Sequence, residues 1–171
     1  MITNQQTSRE YFRFLQIIFY ALLSGQLLLG IVFVINQYRN IIEPVNNMTD
    51  DIFIYAVPIL AVACLTAAFF FFSLRINAIK KEPNLIKKMT DYRSLQIIRY
   101  SLLEAPSLFS IVVFYITANR LYLGLAGLII IIFFYFKPSR DRAITELELN
   151  ASETYKINDP NAVIAEISSK E

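Results

Sequence analysis

From Arg13 to Ile35 the chain reads RFLQIIFYALLSGQLLLGIVFVI, one basic residue followed by 22 without a charge. A helix crosses the hydrocarbon core of a bilayer with about 20 predominantly apolar residues. The stretch therefore predicts a transmembrane helix, beginning near Phe12 and ending near Ile35. Arg9 and Arg13 at its start resemble the basic end of a secretory signal. The apolar run is too long for that, however, and no small-x-small cleavage site closes it, so it reads as a retained span.

Working outward, three further runs have the same character: about Ile52 to Leu74, about Leu95 to Ala118 and about Leu121 to Phe136. The last is short and follows the third after only Asn119 and Arg120, which predicts a tight hairpin. The expected fold class is an all-α membrane protein, a four-helix transmembrane bundle. Composition agrees. Of the 171 residues, 56% are hydrophobic, and the net charge of +2 is too small for a nucleic-acid partner. There is no His, and the single Cys64 sits in an apolar run as a small packing residue. No internal disulfide and no Cys/His metal cluster can form, so no metal site and no cofactor are expected.

The first span has a counterpart. Arg13-Phe14-Leu15-Gln16-Ile17-Ile18-Phe19-Tyr20-Ala21-Leu22-Leu23 aligns with Arg93-Ser94-Leu95-Gln96-Ile97-Ile98-Arg99-Tyr100-Ser101-Leu102-Leu103. Apolar composition alone would not reproduce the Arg, the Gln and the Tyr in register. The second and fourth spans match more weakly, through Phe69-Phe70-Phe71-Phe72 and Phe133-Phe134-Tyr135-Phe136. Two duplicated helical hairpins, 12–74 and 93–137, account for this, entering the membrane from the same side as a parallel repeat. Ala21 and Gly25 lie four apart, as do their counterparts Ser101 and Ala105. Small residues at that spacing let helices approach in lipid, so spans one and three are expected to pack through them.

Charge sets the orientation. Arg9 and Arg13 precede span one; Arg75, Lys80, Lys81, Lys87, Lys88 and Arg93 separate spans two and three; Lys137, Arg140 and Arg142 follow span four. The other two loops hold only Arg39 and Arg120. Cytoplasmic loops are enriched in Lys and Arg. Both termini are therefore expected in the cytoplasm, with the chain multi-pass in the cell inner (plasma) membrane. The sequon Asn47-Met48-Thr49 then falls outside, although one such triplet is common by chance.

Residues 1–137 are expected to form the transmembrane domain and 138–171 a cytoplasmic tail. Arg140 to Leu149 interleaves charges with Ala143, Ile144, Leu147 and Leu149, a short amphipathic helix near the membrane surface. Asn158-Asp159-Pro160-Asn161 reads as a turn. The remainder is expected to be partly disordered, with at most a weak helical turn at Val163, Ile164 and Ile167.

Chemistry centres on Glu104, in Arg99-Tyr100-Ser101-Leu102-Leu103-Glu104-Ala105-Pro106-Ser107. A helix starting at Arg93 places it roughly 16 Å along the axis, at about 1.5 Å per residue. Pro106 removes a backbone hydrogen bond and frees the carbonyl of Leu102. Ser101, Glu104 and Ser107 form a polar stripe. An intramembrane acid marks a functional site by default. Three readings of Glu104 stand open: a proton or cation site, a hydrogen bond to Gln16, Gln26 or Tyr20 that fixes packing, or an interfacial residue if the helix starts later. Tyr100, Ser101, Ser107 and Gln26 are the supporting polar candidates. Arg99 is expected to snorkel to the surface, and Gln16 and Gln96 to cap or meet headgroups.

The stretch from Leu102 to Val112 resembles the carboxylate helix of rotary-ATPase proteolipids, as does the duplicated hairpin, and that resemblance implies an ion-binding Glu104. The proteolipid pattern breaks elsewhere, since the chain has no glycine-rich inner helix and is rich in aromatics. Over most of its length the chain resembles a family of small four-helix bacterial inner-membrane proteins. The residues carrying this are Arg99 to Glu104 in the third span and Lys137-Pro138-Ser139 opening a charged helix; the resemblance implies a fold and brings no activity. No catalytic set stands out, so an enzyme is not expected. The leading expectation is an accessory or interaction subunit whose partners are the bilayer and either another membrane protein or a second copy. The alternative is a small ion-coupled transporter or proton-translocating subunit using Glu104, whose repeat position in span one is held by Ser24.

Overall fold

The computed structural model describes residues 3–39 and 47–168. The order is β1 (Thr3–Thr7), α1 (Ser8–Tyr38), α2 (Asn47–Lys80), α3 (Leu85–Thr117), α4 (Arg120–Tyr135), α5 (Arg140–Leu147), α6 (Ala151–Asn158) and β2 (Val163–Ser168). The side chains of the Asn47-Met48-Thr49 sequon, and Glu43 in the loop before it, lie outside the described residues. Helices α1, α2 from Ile52 and α3 are long and apolar enough to cross a membrane. A fourth span exists if α4 and α5, which meet at an 80° bend, are counted together. These lengths and compositions mark an integral membrane protein. At 16 residues α4 is about 24 Å long, short of the ~30 Å core.

The middle of the chain is more helical than the charge pattern implied. Helix α2 continues to Lys80 and α3 starts at Leu85, so the expected basic loop shrinks to a turn at Lys81–Asn84. The reason is periodicity hidden among the charges. Ile76 and Ile79 on α2, and Met89, Tyr92 and Leu95 on α3, are buried at helical spacing. Pro83 interrupts the chain between the helices, and Asn84 Oδ1 accepts the Ile86 amide at 2.9 Å to cap α3. The α3–α4 connection is as tight as expected. Ala118 takes a left-handed conformation, φ 56°, and Asn119 caps α4 by accepting from the Leu121 amide at 3.1 Å.

Two compact units form. The terminal unit gathers residues 1–19, 70–99 and 137–171, and the apolar unit holds 20–69 and 100–136. The helices are thus shared between units, which replaces the expected boundary at residue 137.

In the terminal unit, Tyr11 and Leu15 of α1, Ile76 of α2, Met89 of α3, Leu147 of α5, Ile157 of α6 and Ile164 of β2 share one core. Each fully buried aliphatic side chain contributes about 1.5–3 kcal/mol. This unit corrects the reading of the tail. Past Leu149, where partial disorder was expected, Asn150 and Glu153 close a capping box on α6. Residues 163–168, expected as a helical turn at most, pair antiparallel with 3–7, with an irregularity between Gln6 and Thr7. A strand forms because a partner exists: the N-terminal residues supply a second extended segment, and Ile164 and Ala165 enter the core. The Ser8 amide, donating to Ala162 O at 2.9 Å, extends the join.

In the apolar unit, Tyr122, Ala126, Ile129 and Phe133 form the buried stripe of α4. Val57, Val113, Phe114 and Tyr122 make a cluster across α2, α3 and α4. The expected packing through Ala21, Gly25, Ser101 and Ala105 is not what joins α1 to α3. All four are exposed, and a Cβ added at Gly25 would meet nothing within 4 Å. The helices meet elsewhere. A Cβ at Gly30 would lie 3.8 Å from Ile111 Cδ1, and the rings of Phe33 and Tyr115 stack with centroids 4.0 Å apart. Gly30 lies about 140° around the helix from Gly25, at 100° per residue, so contact at one face leaves the other open.

Candidate functional site

Two sets of polar side chains in otherwise apolar surroundings are candidates, one in each unit. In the apolar unit, Glu104 is half-buried on α3 and makes no hydrogen bond or ion pair among the described residues. Ser107, one turn further, is fully buried and its Oγ has no hydrogen-bond partner among the described residues. Gln26 of α1 is fully buried too. Its Nε2 donates to Leu22 O at 3.3 Å, while its Oε1 has no hydrogen-bond partner among the described residues. The contacts Gly30–Ile111 and Phe33–Tyr115 fix the relative level of the two parallel helices. Stepping back one turn on each brings Gln26 and Ser107 to the same height, on the faces that meet. Of the supporting candidates, Ser107 lies one turn from Glu104 on α3, and Gln26 is on α1. Ser101 is exposed. Tyr100 is buried and committed to α4, its hydroxyl donating to Phe136 O at 3.3 Å. Gln26 also lines an apolar groove of about 360 Å³ with Gly30, Ile111, Ala126 and Gly127. Cys64 is half-buried.

The second set is in the terminal unit and centres on Glu146 of α5, which sequence reading passed over. Its Oε2 accepts from the Tyr92 hydroxyl at 2.7 Å and from Gln96 Nε2 at 3.0 Å. Its Oε1 faces Arg99 Nη1 at 3.3 Å and Arg142 Nε at 3.5 Å. The Arg99 guanidinium also lies over the Phe72 ring, 3.1 Å from its centroid. Arg99 is therefore buried, 5% exposed, rather than snorkelling, because a carboxylate and an aromatic face replace its water. Gln96, also buried, neither caps nor meets headgroups. The signal was present in the spacing. Tyr92, Gln96 and Arg99 fall on one face of α3 once that helix is known to begin at Leu85, and Glu146 lies between the buried Ala143 and Leu147 on α5.

A second ion pair joins α3 to α6: Lys88 Nζ lies 2.7 Å from Glu153 Oε1, both side chains largely buried. The other oxygen of Glu153 accepts the Asn150 amide at 3.0 Å in the capping box. Burial pushes the Glu153 carboxyl up, but the Lys88 ammonium and the Asn150 amide outweigh it and hold the group below the usual carboxylate range. Arg93 completes the set, donating to Gln6 Oε1 of β1 at 2.6 Å and to Glu166 O of β2 at 3.1 Å. Chemically this is a set of paired charges and hydrogen bonds that binds strands and short helices to the ends of long ones.

Comparison with protein-family models, with curated proteins and with solved structures finds no match.

Proposed function

We propose that the protein is a non-enzymatic accessory or interaction subunit of the cell inner (plasma) membrane. In this reading four helices, built as two related hairpins, carry a folded cytoplasmic head that contains both termini. The supporting observation is where the polar groups are invested. Glu146, Arg99, Lys88 and Glu153 are paired with one another inside the terminal unit, so the unit is held as a defined body for presentation. Among the described residues, every Lys and Arg except Arg39 and Arg120 belongs to that unit, as a cytoplasmic location requires.

A second reading, an ion-coupled transporter or proton-translocating subunit, is favoured by one observation. Among the described residues Glu104 has no hydrogen bond or ion pair, and the Gln26 and Ser107 side-chain oxygens that lack partners among them lie at a neighbouring level. Two measurements divide the readings. Purification from native membranes in mild detergent is expected to bring one companion at fixed stoichiometry, retained in Glu104→Gln. A companion-free chain whose proteoliposomes show proton-coupled uptake, abolished by Glu104→Gln, would replace the first reading with the second.

A further inference from the structure

A cavity of about 370 Å³ opens in the terminal unit between α2 and α3. Phe71, Arg75 and Ile79 line it from α2, and Asp91, Ser94 and Ile98 from α3. Its position follows from the sequence of each helix. Arg75 is the first charge after the apolar run of α2, and Ile98 lies one turn into the apolar run that begins near Leu95 on α3. The cavity therefore straddles the level where hydrocarbon gives way to headgroups, with apolar walls at Phe71 and Ile98 and polar ones at Arg75, Asp91 and Ser94.

Three charged residues line it, and of these Glu82, in the turn between the helices, is paired with Lys87 at 2.6 Å. On the same helices, Lys80 pairs with Glu148, Lys87 with Glu82, Lys88 with Glu153 and Arg99 with Glu146, and Arg93 holds Gln6. Arg75 has no ion pair among the described residues; its guanidinium rests only on the Phe71 ring, 5.5 Å from the centroid. Asp91 is exposed and likewise has no hydrogen bond or ion pair among them. A guanidinium and a carboxylate, Arg75 and Asp91, each without an ion pair among the described residues, thus share the cavity with the Lys87-paired Glu82.

We propose that this cavity binds a phospholipid whose phosphate is followed by a primary amine, the ethanolamine class. The Arg75 fork takes the phosphate, a geometry suited to guanidinium. Asp91 takes the ammonium, and the first acyl carbons lie against Phe71 and Ile98. A glycerol headgroup satisfies Arg75 but leaves Asp91 without a donor of opposite charge. A choline headgroup brings the positive charge without N–H donors. The proposal rests on the membrane-spanning helices and is independent of the accessory role.

The test reconstitutes the full chain in nanodiscs containing equal parts of phosphatidylethanolamine, phosphatidylglycerol and phosphatidylcholine, and counts co-purifying lipids by native mass spectrometry. Wild type is expected to retain phosphatidylethanolamine preferentially. Arg75→Gln should lower that retention about tenfold, the scale of a lost charge-assisted contact, with helicity and melting unchanged because Arg75 is exposed. Asp91→Asn should move the preference to phosphatidylglycerol, and Lys81→Ala, in the turn outside the cavity, should change nothing. Soluble glycerophosphoethanolamine should compete weakly; displacement at concentrations matching the lipid would assign the site to a free phosphate ester and overturn the lipid. Equal retention of the three lipids, or a preference untouched by Arg75→Gln, also overturns the proposal.

Discussion

Arg99 of α3 and Glu146 of α5 face each other at 3.3 Å although 47 residues separate them in the chain. Removing one member of a buried ion pair leaves the other's charge uncompensated, at a cost of about 3–5 kcal/mol. Glu146→Leu is expected near the lower end, since Glu146 retains some exposure. The double substitution Arg99→Met with Glu146→Leu should cost much less than the sum of the singles. Thermal unfolding in detergent across the four variants measures the coupling; additive losses would show that the pair contributes nothing.

The Lys88–Glu153 pair makes a pH prediction. The folded carboxyl of Glu153 titrates below its unfolded value, so the stabilisation is complete above the ordinary carboxylate pKa of about 4.3. It is lost as the pH falls through the lower folded value. The melting temperature of wild type should therefore drop in acid below that range. Glu153→Gln keeps a capping-box side chain and removes the charge, so its acid dependence should be shallower; an identical pH profile would dismiss the linkage.

The pairing of β2 with β1 predicts how the tail responds to protease. Ile164 is fully buried, whereas its neighbour Val163 is exposed. Ile164→Ala should cost about 2–5 kcal/mol and speed cleavage after residue 158 in limited proteolysis. Val163→Ala should leave the cleavage rate near that of wild type. Rapid cleavage of wild type itself would restore the disordered tail.

The two glycines of α1 should behave differently. A methyl at Gly30 makes ordinary contact with Ile111, so Gly30→Ala is expected to be neutral or stabilising by up to about 1 kcal/mol. Gly30→Leu should destabilise, because its extra carbons extend toward α3 beyond the 3.8 Å contact. Gly25→Leu should leave the isolated chain unchanged in melting temperature. A loss there would return Ala21 and Gly25 to a packing role.

The long apolar runs by themselves determined that helices cross a membrane, because nothing but internal hydrogen bonding satisfies a backbone in hydrocarbon. Glu104 and Gln26 were legible for the same reason, as polar residues where water is absent. The tight α3–α4 turn was legible from Asn119 and the shortness of the gap. What only tertiary structure decided lies in the terminal unit. Strand β2 has no identity without β1, a segment some 160 residues earlier in the chain. The roles of Gln96 and Arg99 depend on Glu146 arriving from α5. Likewise, the α1–α3 contact falls at Gly30 and Phe33 rather than at Gly25, because the seam is set by stacking of Phe33 on Tyr115 and not by small residues alone. Periodicity records which residues prefer to leave water, while the partner each one meets is set by how distant segments fit together.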